Sequence, residues 1–122
     1  MSHQTKSEKP TAEQVRTLKR RVDAAFRALK KQGVFCRRNF LCCQSCGTAA
    51  VPDGTPYVFW HGQDEDGLRE SGTVRLAFGA PGKDGKTVTL GRIIVSAMKA
   101  AGVRAVWDGN PDKRIRLEVA DA

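Results

Sequence analysis

The sequence predicts an α+β fold, an antiparallel sheet of about four to five strands with two amphipathic helices on one face. Two observations carry that prediction. Residues 11–33 and 88–101 repeat apolar side chains at three- and four-residue steps, the spacing of one helical face. Residues 73–78, 103–107 and 115–119 alternate apolar and polar side chains, as a strand with one wet face does. Sheet and helices then hide their apolar surfaces in each other.

The elements follow in order. Residues 1–10 are polar, offer nothing to bury and read as a disordered leader. Residues 11–120 read as a single domain, with an N-terminal basic helix over 11–33 and a core over 34–119. Thr11 with Gln14 three residues on has capping-box spacing, and Gly33 is placed to end the helix. Its apolar stripe is Val15, Leu18, Val22, Ala25, Phe26 and Leu29, while Arg16, Lys19, Arg20, Arg27, Lys30 and Lys31 fall off it. Val34–Leu41 looks extended. Val51–Pro56 is dense in turn formers, and Tyr57–His61 reads as a strand with Tyr57, Phe59 and His61 on one face.

The polar, acidic stretch 62–72 reads as a loop or one short helical turn. In the strand 73–78, Val74, Leu76 and Phe78 point inward and Thr73, Arg75 and Ala77 outward. Residues 79–86 are a Gly-rich connection without the Gly-x-x-x-x-Gly-Lys-Ser/Thr pattern of a phosphate loop. The second helix, Val88–Ala101, buries Leu90, Ile94, Ala97, Met98 and Ala101, and Gly102 stops it. The turn at Asp108–Asp112 joins the last two strands.

The bulk properties narrow the class of function. In 122 residues, 40% hydrophobic and 28% charged, no apolar run approaches the length of a membrane span. The opening residues lack the apolar centre of a secretory signal, so a cytoplasmic home is the expectation. A reducing compartment turns cysteines toward metal binding, redox work or burial. The whole net charge of +8 sits in residues 1–50, since 51–122 hold as many acidic as basic side chains. Such asymmetry suggests an acidic partner, protein or nucleic acid, without choosing between them.

Soft ligands, an imidazole and a carboxylate gather in one place only. Cys43-x-x-Cys46-Gly47 has the spacing with which two thiolates reach one tetrahedral zinc; Cys42 adds a third sulfur and His61 a fourth ligand. Because adjacent residues on an extended chain face opposite ways, Cys42 and Cys43 serve one metal only if the chain turns there. Cys36 is set apart: with 36–42 extended it stands about 20 Å from Cys42 and reads as a small buried hydrophobe. Two other chemistries use the same residues. If 44–49 is a short helix, Cys43 sits near its N-terminus with a depressed thiol pKa and Cys46 as resolving partner. A hydrolytic site would take a cysteine nucleophile, His61 as base and Asp64 or Gln63 as its orienter.

Taken together, Cys42-Cys43-Gln44-Ser45-Cys46-Gly47, Tyr57-Val58-Phe59 with His61, Gln63 and Asp64, Leu76–Gly79, Gly91-Arg92-x-Ile94-Val95 and Ala100–Gly102 with Val106–Gly109 form a motif series. Over residues 33–116 the series resembles an uncharacterised family of small bacterial domains, a domain of unknown function. Its motif residues map onto Cys42, Cys43, Cys46, His61, Gln63, Asp64, Trp107 and Asp108. The long basic N-terminal helix and the Gly-rich insert at 79–86 depart from it. The resulting expectation is a binding or regulatory module rather than an enzyme, with structural zinc held by Cys42, Cys43, Cys46 and His61. The alternatives are a thiol-dependent redox protein or enzyme using Cys43 and Cys46, and a nucleic-acid binder using the basic helix.

Overall fold

A computed structural model of the chain describes residues 9–41, 44–82 and 84–119. The elements run α1 (Ala12–Lys30), β1 (Phe35–Arg37), α2 (Gln44–Ala50), β2 (Tyr57–Phe59), α3 (Gly62–Ser71), β3 (Thr73–Gly79), α4 (Asp84–Ala100), β4 (Arg104–Val106) and β5 (Ile115–Glu118). The α+β class holds, with a five-stranded sheet in the order β1-β2-β3-β5-β4. β2–β3, β3–β5 and β4–β5 pair antiparallel, but β1 and β2 are parallel. A parallel neighbour requires a crossover, and the segment carrying α2 supplies it.

Helix α1 forms as its stripe requires: Leu18, Val22, Ala25, Phe26 and Leu29 are buried. Thr11 accepts from the Gln14 N–H at 3.0 Å and Gln14 returns the bond to the Thr11 N–H at 2.8 Å, a complete capping box. The leader expected at 1–10 lies mostly outside the described residues, but Lys9 approaches Glu70 to 3.4 Å. Leu90, Ile94 and Met98 of α4 join α1, Val74, Leu76 and Phe78 of β3, and Ile115 and Leu117 of β5 in a continuous core.

Four local expectations are corrected. The extended run at 34–41 ends at Arg37, after which Asn39 (φ 50°) and Leu41 (φ 60°) turn the chain through left-handed conformations. The stretch 62–72 is the ten-residue helix α3; its single deeply buried apolar residue, Leu68, gave no periodicity, and the signals are Asp64 and Glu65 at the positive helix start. Helix α4 begins at Asp84 rather than Val88, so it absorbs part of the glycine-rich connection. Ala77 is not outward in water but 1% exposed.

Ala77 is covered because the second face of the sheet is only partly wet. It pairs with Phe59, whose ring stacks on Tyr57 and meets Phe40 edge-on, while Phe40 meets Phe35. Helix α2 closes over these rings at Gly47, where a Cβ would lie 2.5 Å from Phe59 Cε1. The two amphipathic helices α1 and α4 thus share one face of the sheet, as expected, and the short α2 adds cover on the other. Farther along the sheet, Arg75 and Arg116 face each other across β3 and β5.

Candidate functional site

The junction between β2 and α3 carries the site. His61 has extended backbone (φ −104°, ψ −179°) and serves as N-cap of α3, so its ring turns back over the first helical turn. The residue is 5% exposed. Its Nε2 lies 3.1 Å from Oδ2 of Asp64, one turn on, and Asp64 is gripped in turn by Arg114. Arg114 also donates to the Arg75 carbonyl, which ties the end of the β4–β5 turn to β3. Asp64 thus joins helix α3 to the start of β5 and holds the imidazole ring between them.

Nδ1 of His61 is buried and makes no hydrogen bond of normal geometry among the described residues, although the ring faces the Asp64 N–H in a loose capping-box arrangement. The helix start has the outline of a capping box, with the Asp64 carboxylate 3.5 Å from the His61 N–H, at the limit of a hydrogen bond. With Nε2–H donating to the carboxylate, a neutral ring presents its lone pair at Nδ1. A buried acceptor left empty costs about 1–3 kcal/mol, so the arrangement is one a ligand or proton donor would complete.

Beneath this lies a second polar cluster that stabilises the junction. Glu65 is 3% exposed; it accepts from Trp60 Nε1 at 2.9 Å and from Lys19 of α1, with Arg69 at 3.3 Å. Burial alone would raise its pKa, but the hydrogen bonds from Lys19 and Trp60 and the charges of Lys19 and Arg69 outweigh burial and hold it below the ordinary carboxylate value. The residue before His61 and the helix after it are therefore bolted to α1 by charge.

The expected zinc ligands are only partly visible. Cys42 and Cys43 lie outside the described residues; Cys46 is exposed on α2 and His61 is buried. Among the described residues no group of three or more His, Cys, Asp or Glu is placed to hold a metal. The chain on both sides of 42–43 is nevertheless fastened near His61. The Phe40 N–H donates to the Trp60 carbonyl at 2.7 Å and the Gly62 N–H to the Leu41 carbonyl at 2.8 Å, while Gly47 sits against Phe59. Leu41 holds its left-handed conformation one residue before Cys42, a strain the two hydrogen bonds sustain.

Cys36 takes no part. It is buried in the core on the α1 side, and burial pushes its thiol up to about 11 despite Lys30 and Arg37 nearby. Gln63 is exposed beside the site, and Asp108 caps the β4–β5 turn by accepting from the Asn110 N–H. The sequence reading missed Arg114, Glu65 and Lys19. Arg114 lies 50 positions from Asp64 and Lys19 lies 46 from Glu65, separations for which no spacing rule exists.

The basic helix is partly occupied with structure. Lys19 is spent on Glu65, Arg21 donates to the Gly102 carbonyl at 3.1 Å, and Asp23 pairs with Arg38. Arg16, Arg20, Arg27, Lys30 and Lys31 remain exposed. Among the described residues no helix is long and apolar enough to cross a membrane.

No curated protein and no solved structure matches the chain. A family model described as a domain of unknown function (DUF6891) matches residues 3–121, a span that takes in the basic helix α1 as well as the core. The chain belongs to that family of domains of unknown function.

Proposed function

We propose that the protein is a binding module built around a zinc site, with Cys42, Cys43 and Cys46 as thiolate ligands and His61 as the nitrogen ligand. One observation carries the reading: among the described residues His61 Nδ1 is buried without a hydrogen bond of normal geometry, while Nε2 is held by Asp64, itself held by Arg114. A metal-ligating histidine characteristically donates its other ring N–H to a carboxylate, which fixes the tautomer and makes the free nitrogen a better ligand. The residues fit such a metal: three soft sulfurs and one imidazole match tetrahedral zinc, and the chain enters and leaves 42–43 from fastened points. Zinc would supply cross-linking of the 42–46 segment to α3. The exposed cations of α1 then offer a surface for an acidic partner.

A second reading, a thiol-dependent protein using Cys43 and Cys46, is favoured by the exposure of Cys46, since a reacting sulfur needs access. His61 would then be the base and Asp64 its orienter. The deciding experiment measures zinc content of protein purified without chelator, together with a thiol count on the same sample. About one zinc per chain, with thiols protected until chelator is added, supports the zinc module. Absence of metal with fast-reacting Cys43 and Cys46 overturns it in favour of thiol chemistry. Absence of metal with inert thiols overturns both.

A further inference from the structure

Away from His61, an open groove of about 380 Å³ lies between the C-terminal half of α1 and the edge strand β1. Arg27, Lys30, Arg37 and Arg38 line it against a single carboxylate, Asp23, with Cys36 at its floor. We propose that this groove is a phosphate-binding site, taking a phosphoryl group from a small phosphate ester or from a nucleic-acid backbone.

The guanidinium groups are held before any ligand arrives. Arg37 lies 4.3 Å over the Phe35 ring and donates to the Cys36 carbonyl at 2.8 Å. Arg38 is fixed by Asp23 through Nε at 2.8 Å and Nη2 at 3.4 Å. A guanidinium has five N–H donors, so each keeps donors for a second acceptor, in the planar fork that suits phosphate oxygens. Holding these side chains in advance removes ordering cost from the binding step. Arg27 and Lys30 have no ion-pair partner among the described residues, so three positive charges exceed the one Asp23 can balance. The field reaches the floor, where Lys30 and Arg37 both act to lower the Cys36 thiol pKa against burial.

The ring faces bear on the ligand class. Phe26 is buried and the Phe35 face is taken by Arg37, which leaves no aromatic platform for stacking bases among the described residues of the groove. Recognition therefore falls on phosphate and not on base. The cations Arg16, Arg20 and Lys31 continue along the exposed side of α1, a track a polymer could follow beyond the groove.

The test titrates the full-length protein with inorganic pyrophosphate and, separately, with a mixed-sequence single-stranded RNA of about twelve nucleotides, following backbone amide shifts. The expected result is pyrophosphate shifts centred on residues 23–38, extended by RNA toward Arg16 and Arg20, and affinity lowered at least tenfold in R27A/K30A. R92A/K99A, which removes equal charge from α4, should leave affinity within about twofold. Arg37→Lys, which keeps the charge but loses the fork, should weaken binding severalfold. RNA bound far more tightly than pyrophosphate, with steep salt dependence, identifies a nucleic-acid source; comparable affinities identify a free phosphate ester. No shift with either probe at low salt overturns the proposal, as do equal losses in the two double variants, which would reduce the effect to net charge.

Discussion

The indole N–H of Trp60 donates to Oε1 of Glu65 at 2.9 Å, and both side chains are closed to solvent. Because Lys19 and Arg69 share that carboxylate, the contact joins β2, α3 and α1 at the base of the His61 site. Glu65→Ala strands the buried Trp60 N–H, while the partly exposed Lys19 and the exposed Arg69 can turn to water, so it should cost about 1–3 kcal/mol. Urea denaturation should show the loss, with Trp60 emission moving toward that of an exposed indole.

The same carboxylate sets an acid sensitivity. Its folded pKa lies below the ordinary value, so its contribution is fully present above the unfolded pKa and fades as pH falls through the folded one. Urea midpoints measured downward from pH 6 should therefore decline, and Glu65→Gln should start lower and decline less steeply. An unchanged slope in Glu65→Gln would assign the acid sensitivity to other carboxylates.

Gly91 and Trp107 are in direct contact, and a Cβ at 91 would stand 2.4 Å from Trp107 Cη2. The indole is not free to yield, since its N–H reaches the Asn110 carbonyl at 3.0 Å and the Lys113 carbonyl at 3.1 Å, and Phe78 meets it edge-on. Gly91→Ala should therefore destabilise by about 1–3 kcal/mol, the cost of overpacking, despite alanine's better helix propensity. A thermal melt checks this, and an increase in Tm would show that the helix–indole contact relaxes without penalty.

These contacts mark where the sequence was legible. Periodicity exposed α1 and the strands β3 and β5, because Leu18, Val22 and Leu29 or Val74, Leu76 and Phe78 declare a buried face by spacing alone. It failed at α3, where charge at the helix start and a closing glycine do the work that apolar residues do elsewhere. At the site, His61 and Asp64 stood out because they are near neighbours in sequence. Arg114, which fixes Asp64, reaches it only through the β3–β5 pairing, so its role exists in the tertiary structure alone.

The Asp64 contact yields a prediction for the proposed metal site. Asp64→Asn keeps the shape but removes the charge that orients His61, and loss of such an outer partner typically lowers metal affinity about 10–100-fold. Chelator competition should show that loss for zinc, and Arg114→Ala, which leaves Asp64 without its clamp, should show a smaller one. Equal affinity in Asp64→Asn and wild type would detach the His61–Asp64 pair from metal binding.

Cys36 supplies an internal control for every thiol measurement on this protein. Its thiol, pushed up to about 11 by burial, stays protonated and closed to reagents in the folded state. It should label far more slowly than the exposed Cys46, which labels directly when no metal protects it. The raised pKa also fixes a sign at alkaline pH. A thiol that ionises near 9.0 when unfolded and about 11 when folded favours folding below pH 9 and loses that contribution as pH climbs toward 11. Cys36→Ala removes the titrating group, so its urea midpoint should change less between pH 8 and pH 11 than that of the wild type. Equal alkaline slopes in the two proteins would mean that the Cys36 thiol does not govern stability in that range.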